Sequence, residues 1–302
     1  MGYRANRGCR RRMVLKMSQA TTQIEPAIDP DVYPTLRVST EFFLRGFDLL
    51  CQLHEDIVGA LIIMTLWHDA LARPGRKAMG VRELSRKLDL PYETVRRHVN
   101  GLVTSGACLV EKGGLAVSSA GRCNAGILRK IYLNAVRMLG DLSRIEVVDF
   151  KPRRTPSSRS ESLGREQMVI AVAAMGLLLA GMRVLRGLFG GDLMKGLVYT
   201  AIWAANVKHI TNTAPAAHRS ILPDRYRLPV SVLAISDSLR LPYETVRRHA
   251  DALVKEGTCV RVDHQGLMVP ESAHRLMTPG AVTVSEFIMA FVAELRAAGV
   301  KL

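Results

Sequence analysis

The sequence predicts a mainly helical protein that contains two copies of one unit, each made of three helices and a β-hairpin. The run LPYETVRRH occurs at residues 90–98 and again, unchanged, at 241–249. The composition is 48% hydrophobic but only 5% aromatic, which suits helical cores of Leu, Val, Ala and Met better than an aromatic-rich β-sandwich. A chain of 302 residues is also long enough for two domains.

The repeat extends beyond these nine residues. At the same offset of 151 residues, four further positions are identical, which makes thirteen identities over nineteen positions. Upstream the offset changes to 136, and Asp56, Leu61 and Trp67 then pair with Asp192, Leu197 and Trp203, so the two tryptophans of the chain are equivalent. The second copy therefore has a connection fifteen residues longer, which we place in the Pro-rich segment 212–229.

Each copy shows three segments with helical spacing of apolar residues. Pro91 and Pro242 stand at the start of the third helix, where the N–H that proline lacks would have no partner. The segments 107–119 and 258–271 follow a glycine and predict two short strands around a turn. In the first copy, the apolar positions of the three helices are Ile57, Leu61, Met64 and Leu71, then Val81, Leu84 and Leu88, then Val95, Val99, Leu102 and Val103.

Three helices followed by a β-hairpin form a winged helix-turn-helix. The pattern LxxxLxLPxxTVRRHxxxLxxxG resembles the modules of MarR-like and GntR-like bacterial transcription regulators, over about residues 56–120 and 192–271. The sequence departs from the pattern at Pro91 and Pro242, where a capping serine is more common. The resemblance implies two winged units with additional flanking helices and a double-stranded DNA partner.

The domain organisation follows from the repeat and the charge pattern. We expect flanking helices at 39–53, 125–140, 166–189 and 284–298, the last beginning with the capping-box pattern Thr283 to Glu286. These helices brace the two units, form a homodimer surface or enclose a pocket for a small-molecule effector, and the sequence leaves the three alternatives open. The expected segments are a disordered basic tail at 1–34, a first domain at 35–150, a Ser/Pro linker at 151–165 and a second domain at 166–302.

The net charge of +15 suggests an acidic partner, either nucleic acid or a membrane surface. Much of this charge lies in residues 1–16, with six basic residues, and in 151–165, with five basic residues and one acid. A start at Met17 instead of Met1 would lower the net charge from +15 to +9.

Membrane, metal and catalytic signals are weak. Met168 to Met182 is an uncharged run of fifteen residues, shorter than the about 20 that span a bilayer, so we expect a core helix and no membrane partner. The basic start is not followed by an apolar signal segment, which favours a cytoplasmic, nucleoid-associated location. The five cysteines form no CxxC pair and do not combine with histidines into the spacing of a zinc site, and no catalytic motif is present, so we expect no metal, cofactor or enzyme activity.

The outward face of the third helix is the candidate DNA-binding surface. A recognition helix presents its N-terminal residues to base edges in the major groove. Arginine binds guanine edges, glutamate accepts from cytosine, and threonine or tyrosine binds phosphate. The candidate residues are Tyr92, Glu93, Thr94, Arg96, Arg97 and Asn100 in the first copy, Tyr243, Glu244, Thr245, Arg247 and Arg248 in the second, and Lys112, Arg261 and His264 in the hairpins.

A solvated helix face is the alternative interpretation of these charged residues. Against it, the second helix differs between the copies (VRELSRKLD and VLAISDSLR), whereas residues 92–98 are repeated unchanged. Packing alone would keep the buried positions and let the exposed ones vary. The repeated exposed face therefore favours one chemical target that is met twice.

The sequence thus predicts a sequence-specific DNA-binding regulator of transcription with two recognition helices in one chain. Half-sites would be inverted if the units are related by a pseudo-twofold axis, and direct if they are arranged in tandem. Two other functions remain open, which are a plasmid-type replication initiator with paired winged helices and a winged-helix module that binds protein.

Overall fold

The structure is a computed structural model that describes residues 32–75, 78–118, 125–151, 163–216 and 218–302. Helices hold 69% of these residues, and the same ranges contain two sheets of two strands each. The prediction of a mainly helical protein is confirmed. The residues 1–31 of the expected tail and 152–162 of the expected linker lie outside the described residues.

Both halves contain four helices, a β-hairpin and a final long helix in the same order, and the second half has one additional short α-helix before its last one. The first half consists of α1 (Val32–Leu53), α2 (Ile57–Ala72), α3 (Val81–Leu88), α4 (Tyr92–Thr104), β1 (Cys108–Glu111), β2 (Gly114–Val117) and α5 (Ala125–Arg144). The second half consists of α6 (Arg165–Leu188), α7 (Leu193–Thr213), α8 (Val232–Leu239), α9 (Tyr243–Lys255), β3 (Val260–Val262), β4 (Gly266–Met268), α10 (Glu271–Leu276) and α11 (Thr278–Ala297).

The two halves pack against each other reciprocally. Helix α1 contacts α7 of the second half, and α6 contacts α2 of the first half. In the same way α6 packs against α5, while α1 packs against α11. If the two halves are exchanged, each of these contacts becomes the other contact of its pair. The two subunits of a twofold-symmetric dimer show the same reciprocity, because each offers the same surface to its partner. The halves form a pseudo-twofold pair within one chain.

The main hydrophobic core crosses the boundary between the halves. One continuous cluster of buried residues joins α1, α2 and α5 of the first half to α6 and α11 of the second. A second cluster lies under α7, α8 and α9. The flanking helices thus form a shared central bundle that carries a helical unit on each side.

Three boundaries differ from the sequence prediction. Helix α1 begins at Val32, inside the expected tail, because Val32 and Tyr33 are buried and Pro34 is tolerated in a first helical turn. Helix α11 begins at Thr278, so the capping-box pattern at Thr283 lies inside the helix. The extra length of the second copy is shared, since α7 has 21 residues and α2 has 16, and the remainder is in the connection to α8.

Two described helices, α6 and α11, are long and apolar enough to cross a membrane by length and composition, and a third span would result if α1 and α2 were one bent span. In the structure α6 packs against α11, α5, α2 and α7. Half of its most apolar window is buried, compared with 39% for α11. Residues Ile170, Ala174 and Leu178 lie on the buried side of α6.

A buried arginine holds together the longer connection of the second copy. Arg227 donates from Nε and Nη2 to the carbonyl of Leu222, and from Nη1 to that of Val269. Its Nη2 also lies 3.3 Å from Nδ1 of His274. Burial lowers the pKa of His274 to about 3, and the charges of Arg227, Arg37 and Arg275 add to the effect. His274 is therefore neutral in the folded protein.

We predict that this histidine makes stability depend on pH. An unfolded chain binds a proton on His274 below its ordinary pKa of 6.5, while the folded chain does so only near 3. The stabilisation is complete above about pH 6.5 and is lost as the pH falls toward 3. Urea unfolding of wild type at pH 7.5 and 5.5 should show a loss at pH 5.5 that is smaller in His274→Gln. The exposed His264→Gln is the control, and an equal loss in all three proteins would contradict the account.

Candidate nucleic-acid interface

The repeated sequence forms helices α4 and α9, which we call the YETVRRH helices. Both bury the same stripe, with Val95 and Val99 on α4 and Val246 and Ala250 on α9. These side chains pack against α2 in the first copy and α7 in the second. The opposite side of each helix faces solvent.

The solvent side contains all the predicted recognition residues. The two tyrosines, the two glutamates and the four arginines are exposed, and both threonines are half-buried. Tyr92 is 41% exposed and Tyr243 is 45% exposed, which is high for an aromatic residue. The two copies therefore offer the same row of side chains in the same degree of exposure.

The turn before each YETVRRH helix has one geometry in both copies. Asp89 and Arg240 end the preceding helix in the left-handed conformation, with φ of 53° and 54°. Ser85 Oγ then donates to the carbonyl of Leu90 at 2.6 Å, and Ser236 Oγ donates to that of Leu241 at 2.7 Å. These serines are not among the residues predicted above, although their identity at the offset of 151 is the signal for a shared turn.

A histidine attaches each YETVRRH helix to the first helix of its unit. Asp56 caps α2 by accepting from Gly59 N at 2.7 Å, and its Oδ2 lies 2.8 Å from His98 Nδ1. Asp192 caps α7 in the same way, and its Oδ2 lies 3.6 Å from His249 Nδ1. Burial lowers the pKa of His249, and the carboxylate of Asp192 opposes that shift. The repeated histidine is therefore a positioning residue.

The first arginine of each pair is bound to a glutamate one turn earlier. Arg96 contacts Glu93 at 2.8 Å, and Arg247 contacts Glu244 at 2.9 Å. Arg247 also contacts Asp251 at 3.0 Å, whereas the equivalent position in the first copy is Asn100. Ion pairs between side chains this exposed add little to stability, so an anionic partner could replace them at low cost.

The second arginine of each pair is free of such contacts. Arg97 and Arg248 are exposed, and within the described ranges neither makes a hydrogen bond or an ion pair. An exposed guanidinium without a carboxylate partner keeps all five donors for a ligand. Of the arginines that the two helices share, these two are the more available to a phosphate or a base edge.

The hairpins lie beside these helices. Strands β1 and β2 pair from Cys108 with Val117 to Glu111 with Gly114, and β3 and β4 pair from Val260 with Met268 to Val262 with Gly266. Each hairpin also forms an isolated β-bridge with the segment that precedes the second helix of its unit. Leu115 pairs with Met79 in the first copy, and Leu267 pairs with Val230 in the second. The sequence pattern does not predict these bridges, which require glycine at 114 and 266 because a Cβ there would overlap the backbone of Met79 or Val230.

The predicted hairpin residues are exposed but not equivalent. Lys112 lies in the turn between β1 and β2, and His264 lies in the turn between β3 and β4 with a φ of 56°. Arg261 on β3 is paired with Asp251 of α9. The first hairpin therefore offers a cation at its tip, while the arginine of the second is tied to the YETVRRH helix.

The cysteines and tryptophans that the two copies share lie in the core, as the sequence predicts. Cys108 and Cys259 are each 1% exposed, and burial raises the pKa of the two thiols to about 11 and about 12. Trp67 and Trp203 are buried. Among the described residues no group of three or more His, Cys, Asp or Glu could hold a metal ion.

Comparisons of the chain with protein-family models, with curated proteins and with solved structures gave no match. The interpretation of this surface therefore depends on its own geometry and chemistry.

We predict that Asp56 stabilises the first unit mainly as a helix cap. Asp56→Ala should lower the free energy of unfolding by about 1–2 kcal/mol, because the N–H of Gly59 loses its partner. Asp56→Asn keeps a capping oxygen and loses only the charge that faces His98, so its loss should stay below about 1 kcal/mol. Urea unfolding of both variants measures the difference. Equal losses would show that the contact with His98 outweighs the cap.

Proposed function

We propose that the protein is a sequence-specific regulator of transcription that binds double-stranded DNA through α4 and α9. The supporting observation is the identity of their solvent faces from residue 92 to 98 and from 243 to 249, on two helices that both expose them. An exposed face under no packing constraint varies freely unless a ligand constrains it. A single chain that binds the same kind of target with both helices explains why the two exposed faces are identical.

The proposal treats each unit as a winged helix-turn-helix. In this assignment α3 and α8 are the first helices of the motif, α4 and α9 are the recognition helices, and the two hairpins are the wings. The left-handed residue at Asp89 or Arg240 supplies the tight turn. Lys112 at the tip of the first hairpin would then lie near the phosphate backbone.

The reciprocal packing of the halves favours inverted half-sites over direct repeats. Two units related by a pseudo-twofold axis present their recognition helices in opposite senses along a duplex. The chain would thus act as a dimer of two winged units in one polypeptide, with half-sites about one helical turn apart, roughly 10 bp.

Arg97 and Arg248 provide a test of DNA binding. Each contact of an arginine with phosphate adds about 0.9 to the slope of log K against log salt concentration. We therefore expect Arg97→Ala or Arg248→Ala to lower that slope by about 1, measured by fluorescence anisotropy with a labelled duplex. Arg296→Ala on α11 removes an equal charge from the flanking bundle and should leave the slope unchanged. Weak binding that does not respond to salt would reject the proposal and favour a protein-binding module.

The difference between Asn100 and Asp251 makes a second prediction. Asp251 pairs with Arg247 and Arg261 and adds a negative charge to the face that would meet phosphates. Asp251→Asn should therefore tighten duplex binding several-fold by releasing both arginines. The reciprocal variant Asn100→Asp should weaken it by a similar factor. Opposite signs in either variant would show that these faces do not meet an anion.

A further inference from the structure

A groove with mainly basic walls, which we call the basic groove, lies where α7 of the second unit meets the flanking helices α1 and α5. Its volume is ≈ 370 Å³, which lies in the range of pockets that bind small molecules. None of its lining residues belongs to a YETVRRH helix. Five basic and two acidic side chains line it, which gives a net charge of +3, and the basic ones are Arg37, Arg45, Arg137, Arg144 and Lys208.

Four of these five cations can be reached from solvent. The side chains of Arg45, Arg144 and Lys208 keep 38%, 59% and 63% of their surface exposed, and Arg137 is exposed as well. A ligand can therefore contact them without any opening of the core.

Arg137 is available to such a ligand because no carboxylate holds it. Arg45 is bound to Glu41, Arg144 is bound to Asp141, and Lys208 lies 3.8 Å from Glu41. Arg137 makes neither a hydrogen bond nor an ion pair within the described ranges, although Asp141 follows one turn later on the same face of α5. Its guanidinium therefore keeps five donors for a ligand.

Arg37 adds a buried positive charge to the wall of the groove. It is only 4% exposed, and its Nη2 donates to the carbonyl of His218 at 3.0 Å. Burial lowers the pKa of Arg37 to about 10, so the side chain is still charged at neutral pH. A charge surrounded by protein acts more strongly on a neighbouring ion than a charge in water does. Arg37 therefore favours an anion in the groove.

The packing of the flanking helices does not require these cations. In the second half α6 packs against α11, as α1 packs against α5 in the first half. Residues 168–182 of α6 carry no charge, and α11 has two acidic residues and one basic residue. Helix α5, in contrast, has four basic residues and one acidic residue. A solvated helix face explains single charges, but it does not explain why basic residues of three helices line one groove.

The charge and shape of the groove suit a phosphate group better than a carboxylate. A phosphate monoester carries about −1.5 to −2 charges at pH 7 and has three acceptor oxygens, so it can bind cations from three helices at once. A carboxylate has only two oxygens. We propose that the basic groove binds the phosphate group of a small molecule, with Arg137, Arg45 and Lys208 as its hydrogen-bond donors.

Such a ligand would join the two halves of the chain. Arg45 and Arg137 belong to the first half, whereas Lys208 belongs to α7, which packs on α9. A phosphate group held by all three would fix the second unit against the flanking bundle. This regulatory role rests on the proposed function, whereas the phosphate site does not.

Inorganic phosphate is the probe that tests the site on the full chain. Isothermal titration calorimetry at constant ionic strength and pH 7.5 should show saturable binding at one site. Acetate should bind about tenfold more weakly or not at all, because it has fewer oxygens and less charge. Equal binding of acetate, or the absence of saturable binding of phosphate, would overturn the proposal.

Three variants of surface residues separate the site from general attraction of anions. Arg137→Gln should weaken phosphate binding about tenfold. Glu41→Gln removes the carboxylate that competes for Arg45 and Lys208 and should tighten binding several-fold. Arg296→Gln on α11 removes the same charge as Arg137→Gln and should leave binding unchanged. An equal loss in both arginine variants, or weaker binding in Glu41→Gln, would reject the site.

Duplex DNA also offers phosphate, and its salt dependence separates the two sources. Arg137→Gln should leave the slope of log K against log salt concentration unchanged. A slope lowered by about 0.9 would place the duplex backbone in the groove and overturn the small-molecule site.

The regulatory role has its own measurement. Saturating phosphate should change the duplex affinity of the wild type by about fivefold or more at constant ionic strength, and Arg137→Gln should remove that effect. If phosphate binds but duplex affinity does not change, the site stands and the coupling is wrong. If the protein binds no duplex at all, the proposed function fails while calorimetry still tests the groove.

Discussion

The reciprocal packing of α1 on α7 and of α6 on α2 is the constraint on which the arrangement of this protein depends. Each of these long helices precedes one unit in the chain and packs against the first helix of the other. Neither half can then move without displacing the helix that supports its neighbour. Ion pairs follow the same exchange, since Arg186 of α6 contacts Asp89 of the first unit and Asp48 of α1 contacts Arg240 of the second.

The reciprocal packing also fixes the two YETVRRH helices within one chain. Two solvent faces with the same tyrosine, glutamate and arginines are held by one bundle in place of a dimer interface. The histidines at 98 and 249 secure each face to the cap of the first helix in its unit. The difference between Asn100 and Asp251 makes the two faces chemically unequal on this shared frame.

The sequence predicts the helical units well because their signals are local. The spacing of apolar residues indicates α2, α3 and α4. Pro91 marks the start of α4, and the glycine that precedes the hairpin marks the end of that helix. The second copy repeats these signals, at an offset of 136 for α2 and of 151 for the later elements, which is why the exposure of the repeated face could be anticipated. The buried cysteines and tryptophans followed from the same apolar stripes.

Features made by distant parts of the chain could not be predicted in this way. The capping-box pattern at Thr283 has the right residues, but α11 begins earlier because Gly280 and Ala281 are buried against the bundle. The contact of Asp56 with His98 joins residues far apart in sequence, and its only signal is that both recur in the second copy. The contacts of α1 with α7 and of α6 with α2 also join distant segments of the chain, and no local pattern encodes them.

Selection of bound sequences from a random pool of duplexes tests the central claim most directly. The account predicts one enriched motif made of two near-identical half-sites in inverted order, bound by a single chain. Enrichment of a direct repeat would contradict the pseudo-twofold arrangement of the two helices, and a pool that shows no enrichment would contradict sequence-specific binding.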